Sequence, residues 1–109
     1  TPAGGSMVGM GGCLDRERDF WDRLLNEVYV AALSQAVAYD KELDTLESAA
    51  PRQAMALRNM QRQCIGFRDA ACAYAASHWG GGTGAGPAAI ECMMQQTARQ
   101  ALSLRLWAR

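Results

Sequence analysis

The segment CAYAASHWGGGTGAGPAAIEC, residues 72–92, decides the fold. Three glycines in a row after Trp79 stop a helix, and Pro87 suits the first turn of the next one. Cys72 lies about two turns before the glycine loop, and Cys92 about one and a half turns after it. In an antiparallel hairpin those two levels nearly coincide, so a Cys72–Cys92 disulfide is the natural bridge. Cys64 is eight residues before Cys72, about 12 Å along the same helix axis. A disulfide needs Cα atoms within roughly 7 Å, so Cys64 cannot bond Cys72, and its level mismatches Cys92. A bridged helical hairpin is the expectation for this half of the chain.

Working outward, apolar residues recur at spacings of three and four on either side of the loop. Leu57, Met60, Cys64, Phe67, Ala71, Tyr74 and His78 form one stripe; Ile90, Met94, Thr97, Ala101 and Leu104 form the next. Upstream, Trp21, Leu25, Val28, Ala32, Ala36, Tyr39, Leu43 and Leu46 form a longer one. That length implies one long helix or two joined by a kink. Ser48-Ala-Ala-Pro51 breaks the pattern, and Pro51 suits a first helical turn. The chain therefore predicts an all-α fold, a three-helix antiparallel arrangement with helices near 14–47, 51–79 and 87–107 and a disulfide-stapled hairpin. Glycine-rich residues 1–12 read as an irregular N-terminal arm, and residues 13–109 as a single helical domain. Half of the 109 residues are hydrophobic, dominated by Ala, Leu and Met, a mix that suits helices better than strands.

Charge narrows the function. Eleven basic residues balance eleven acidic ones, which disfavours a nucleic-acid partner. The balance is uneven along the chain: residues 1–50 hold nine acids and four bases, and residues 51–109 hold two acids and seven bases. Either the two halves pair across the helix seams, or an acidic end meets a basic partner. No apolar run reaches the ~18 residues of a membrane span. The chain begins at Thr1 without a signal peptide, and reads as a processed or trimmed product.

Chemistry-bearing constellations are sparse. With one histidine, His78, and no C-x-x-C pair, neither a zinc site nor a Cys–His nucleophile is expected. Gly82, Thr83 and Gly84 before a helix start resemble an anion nest, but no strand precedes them, no Lys follows and the G-x-G-x-x-G spacing is missing. The acidic set Asp40, Glu42, Asp44 and Glu47 reads as a solvated helix end rather than a catalytic pair. The chain is therefore expected to be no enzyme and to need no cofactor or metal. Trp21, Trp79, Met55, Met60, Met93 and Met94 fall at helical spacing and read as core filler.

Several elements in order carry a resemblance: Cys13-Leu14…Glu17…Trp21-Asp22…Leu25-Asn26…Tyr29, then Gln61…Phe67-Arg68-Asp69…Cys72, then Gly80-Gly81-Gly82-Thr83-Gly84, then Cys92 and the Thr97…Leu102 tail. This pattern resembles the LprI-type lysozyme-inhibitor domain of bacterial periplasmic proteins and lipoproteins. The resemblance implies a periplasmic or secreted helical domain whose partner is lysozyme or another envelope protein. An envelope-assembly module without an enzyme target is the competing expectation. Cys64 stands where the family pattern usually has Trp, which implies a buried position and a free thiol. Cys13 in such proteins pairs with a cysteine further upstream, which leaves its partner here open. Asn26 and Tyr29 share a helical face, and Arg68 and Asp69 lie one turn before Cys72; a polar network locking the first helix to the second is their expected role. The candidate partner-binding residues are Asp40, Glu42, Asp44 and Glu47 at one end of the first helix, and Gly82, Thr83 and Gly84 in the loop. A stable Cys72–Cys92 bridge also requires an oxidising compartment.

Overall fold

In a computed structural model, the backbone of residues 7–107 and the side chains of residues 17–107 are described. Three helices make up the fold: α1 (Met7–Thr45), α2 (Gln53–Ser77) and α3 (Ala85–Trp107). No strand occurs among the described residues. The first stripe forms one unbroken helix of 39 residues, about 58 Å at 1.5 Å per residue. It sets the long dimension of the molecule, which measures 61 × 26 × 14 Å. α1 begins at Met7, so residues 7–12, expected as part of an irregular arm, continue the helix.

Small residues on the buried faces let the helices approach closely. Leu25, Ala32, Ala36 and Leu43 of α1 are buried, at spacings of seven, four and seven. Thr97, Ala101 and Leu104 of α3 are buried as predicted, and Ala101 is fully shielded from solvent. Leu25, Ala101 and Leu104 form the central cluster, with Trp21, Leu24, Val28, Tyr29, Leu57 and Met60 packed around it. α3 packs along both α1 and α2, whereas α1 and α2 meet over a shorter stretch.

α2 departs from the expected orientation. Its buried residues are Ala54 and Cys72, and Phe67 and Tyr74, placed inward by the stripe, are 65% and 70% exposed. The bridge explains the turn. Cys72 is joined to Cys92 with a Cα–Cα distance of 5.4 Å, and it lies one residue, hence 100° of helix rotation, past Ala71 of the stripe. Directing Cys72 at α3 swings Phe67 and Tyr74 outward. Cys64 is a free cysteine, as expected, but its burial is intermediate rather than complete. The partner of Cys13 lies outside the described side chains.

The turn between α1 and α2 closes with local and tertiary caps. Ser48 N–H donates to the Leu43 carbonyl at 2.9 Å, and Glu47 N–H to the Asp44 carbonyl at 3.1 Å. This is a Schellman C-cap, with Glu47 at φ 53° in the left-handed position that favours glycine. Pro51 lies just before the N-cap Arg52 rather than in the first helical turn. Arg52 makes no side-chain cap. Instead, Asp40 of α1 accepts from the Gln53 N–H at 2.7 Å and the Ala54 N–H at 3.0 Å. A carboxylate on two free N–H groups complements the positive end of the α2 dipole.

The bridge, the Asp40 cap and the Glu47 turn can each be tested by substitution. Replacing both Cys72 and Cys92 with Ser removes a closed loop of 20 residues, worth about 3 kcal/mol in the chain-entropy model. The expected result is a melting temperature lower by on the order of 10 °C or more, measured by circular dichroism. Asp40→Ala should cost about 1–2 kcal/mol, the usual effect of losing an N-cap. Glu47→Gly should move the other way, raising the melting temperature by several degrees, because it relieves a left-handed φ worth about 1 kcal/mol.

Candidate functional site

The acidic end is partly used up by the fold. Asp40 caps α2, and Asp44 pairs with Arg52 at 2.7 Å. Arg52 in turn donates to the Ser48 carbonyl at 3.2 Å and the Ala50 carbonyl at 2.8 Å, clasping the turn. Only Glu42 and Glu47 remain as exposed carboxylates without a hydrogen-bonding role of their side chains among the described residues. The sequence held one signal of this arrangement: Arg52 is a poor N-cap, so α2 had to find its acceptor elsewhere.

The glycine loop is held from within. α2 ends in a run of tightening bonds, from His78 N–H to the Ala75 carbonyl at 3.4 Å, Trp79 N–H to Ala76 at 3.1 Å and Gly80 N–H to Ser77 at 3.2 Å. Gly80, at φ 52°, then reverses the chain. Gly82 N–H returns to the Trp79 carbonyl at 2.8 Å, and the Trp79 indole lies against Gly84, where a Cβ would collide with the ring. Gly84 is buried by this contact, and Thr83 is exposed. Trp79, expected in the core, is instead 54% exposed, with one part of the ring on the loop backbone. Met55, also expected inside, is 66% exposed. Beside the loop, His78 Nδ1 donates to the Tyr74 carbonyl at 3.0 Å and its ring meets the Tyr74 ring edge-on at 4.8 Å.

The acidic end and the loop stand at opposite ends of α2, a 25-residue helix about 37 Å long. They cannot belong to one compact site. The residues expected to lock α1 to α2 also divide into two places. Asn26 is exposed, and Tyr29 lines a hollow with Arg58, Gln61, Arg62 and Ile65. Arg68 pairs with its neighbour Asp69 at 3.2 Å. No hydrogen bond among the described residues joins the two pairs; the bond that crosses between helices here runs from Gln100 Nε2 to Gln61 Oε1 at 3.2 Å.

A groove of about 500 Å³ opens beside that amide pair, between α2 and α3, with Leu25 of α1 reaching it from below. Its walls include Cys64, Phe67, Arg68 and Arg99. The sequence pointed to Arg68 and placed Phe67 inside; Arg99, Gln96 and Gln100 gave no sign of sharing a surface with them, since nothing in their spacing reports a neighbour on another helix. No helix among the described residues is long and apolar enough to cross a membrane.

Comparison with known proteins agrees with the resemblance. A protein of Rhizobium meliloti with no described activity is 29% identical over 93 residues, covering 85% of this chain and 67% of its own length. No solved structure matches the fold. The LprI lysozyme-inhibitor family model matches residues 1–104, nearly the whole chain including all four cysteines. The chain belongs to the LprI lysozyme-inhibitor family.

Proposed function

We propose that this protein is a periplasmic or secreted inhibitor that binds lysozyme and obstructs its substrate cleft, without catalytic activity of its own. Family membership over residues 1–104 carries the reading. The Cys72–Cys92 bridge supports an oxidising compartment outside the cytosol.

The loop at residues 78–84 is the element best suited to the contact. Trp79 presents a half-exposed aromatic surface at the tip of a hairpin, and large aromatic side chains dominate the binding energy of protein interfaces. Its packing on Gly84 and the bonds across Gly80–Ala85 hold the loop in one shape before any partner arrives. A preformed loop loses less conformational freedom on binding. The bridge sits about two turns below and fixes the loop's base. Glu42 and Glu47, some 37 Å away by the rise of α2, are too far to join the same contact and serve at most as a separate acidic patch.

The test is a lysozyme turnover assay with the intact, oxidised protein in stoichiometric excess, run against several lysozyme types. Inhibition should be seen with the native chain, and Trp79→Ala should weaken it by tenfold or more, as the loss of an anchor worth about 2 kcal/mol implies. Glu47→Gln should leave it within about twofold. Unchanged lysozyme rates throughout would refute the reading, and inhibition indifferent to Trp79 would remove the loop from it.

A further inference from the structure

We propose that the groove between α2 and α3 is a binding site for a carboxylate-bearing amino-sugar glycan of the muramic-acid type, separate from the loop that meets lysozyme. The groove holds about 500 Å³, within the range of small-molecule sites. Its polar lining is mostly planar amides and guanidinium groups, with the Ser103 hydroxyl: Gln61 and Gln100, already bonded to each other at 3.2 Å, stand with Gln63, Gln96, Arg68 and Arg99. Among the described residues, no carboxylate lines it.

Each glutamine offers two donors and one acceptor group, the complement of hydroxyls and N-acetyl amides. The arginines supply the fork geometry that carboxylates prefer. Arg99 has no ion-pair partner among the described residues, and the Arg68–Asp69 pair joins a carboxylate that is 58% exposed. Such surface pairs are weak, so Arg68 can exchange Asp69 for a ligand carboxylate at little cost.

One aromatic ring lies in the groove, and a second lies beyond its lining on the same helix. Phe67 lines the groove, and Tyr74 follows it seven residues later, both more than half exposed. Seven residues return a side chain to nearly the same flank of a helix, about 10.5 Å further along the axis. That separation is close to the length of one disaccharide unit, so the rings can lie under successive repeats of a glycan strand. A peptide ligand fits less well. All the walls are helices whose backbone groups are internally paired, so no strand edge is available to an extended chain.

Cys64 provides a reporter inside the groove, being free and only partly buried. The intact protein is titrated, without lysozyme, with peptide-free muramic-acid-containing glycan strands, with a neutral N-acetylglucosamine oligomer and with polyglutamate. Calorimetry measures affinity, and the rate of Cys64 alkylation by iodoacetamide is followed by peptide mapping, which separates it from Cys13. The muramic-acid glycan should bind and slow Cys64 alkylation several-fold. Arg99→Gln and Phe67→Ala should each weaken binding about tenfold with the circular dichroism spectrum unchanged, and Trp79→Ala should leave it unaffected. Equal binding of the neutral oligomer would overturn the role of the arginines. Tighter binding of polyglutamate, or glycan binding that neither protects Cys64 nor responds to Arg99 and Phe67, would overturn the site.

Discussion

The Cys72–Cys92 bridge is the constraint on which the rest of the structure depends. Among the described residues the buried core is small and built largely of alanine: Ala32, Ala36, Ala54 and Ala101 stand beside only Leu25, Leu43 and Leu104 as large apolar residues. Alanine permits close helix packing but removes little apolar area from water, at roughly 25 cal/mol per Å². A domain of this size normally has 5–15 kcal/mol of net stability. A covalent staple worth about 3 kcal/mol is therefore a large fraction of the whole. The bridge also sets rotation. It directs Cys72 at α3, and with it fixes which side of α2 faces the core and which faces solvent.

Polar contacts hold the other end of α2. Asp40 reaches from α1 to the first N–H groups of α2, and Arg52 ties the turn to Asp44. α2 is thus anchored to α1 at its start and to α3 near its end. Between these ties it leaves the groove lined by Cys64, Phe67 and the two arginines. The loop beyond the bridge is likewise a product of both constraints and local chemistry: the staple fixes its base, while Trp79 folded onto Gly84 shapes its tip. Stability and candidate function therefore share the same parts. The residues that clamp α2 at either end are also the ones that create the exposed surface between them and the loop beyond.

The charge asymmetry resolves in the same terms. The acidic residues near the end of α1 are not a uniform solvated face. Asp40 and Asp44 meet the backbone and the guanidinium of the turn that follows, so part of the acidic half answers the basic half directly across the α1–α2 seam. Glu47 is held by backbone geometry at the end of α1, in a conformation that glycine would adopt with less strain.

Periodicity, the glycine stop and cysteine levels determined the helix count, the all-α class and the bridge, because each is a local property of chain geometry. The inner face of α3 was legible for the same reason: Thr97, Ala101 and Leu104 repeat on one side and are buried there. Family membership was legible too, since it lies in the order of short motifs rather than in their packing. The tertiary structure alone decided the rotation of α2. Its stripe was ambiguous because small and half-polar residues such as Ala54, Gln61 and Cys72 occupy the true interface, and hydrophobic spacing does not mark them. Only the fold could reveal Asp40 as a cap, because its partners are thirteen and fourteen residues away in sequence. The exposure of Trp79, and the meeting of Arg99 with Phe67 and Cys64 in one groove, likewise depend on which helices become neighbours, and a one-dimensional pattern carries no record of that.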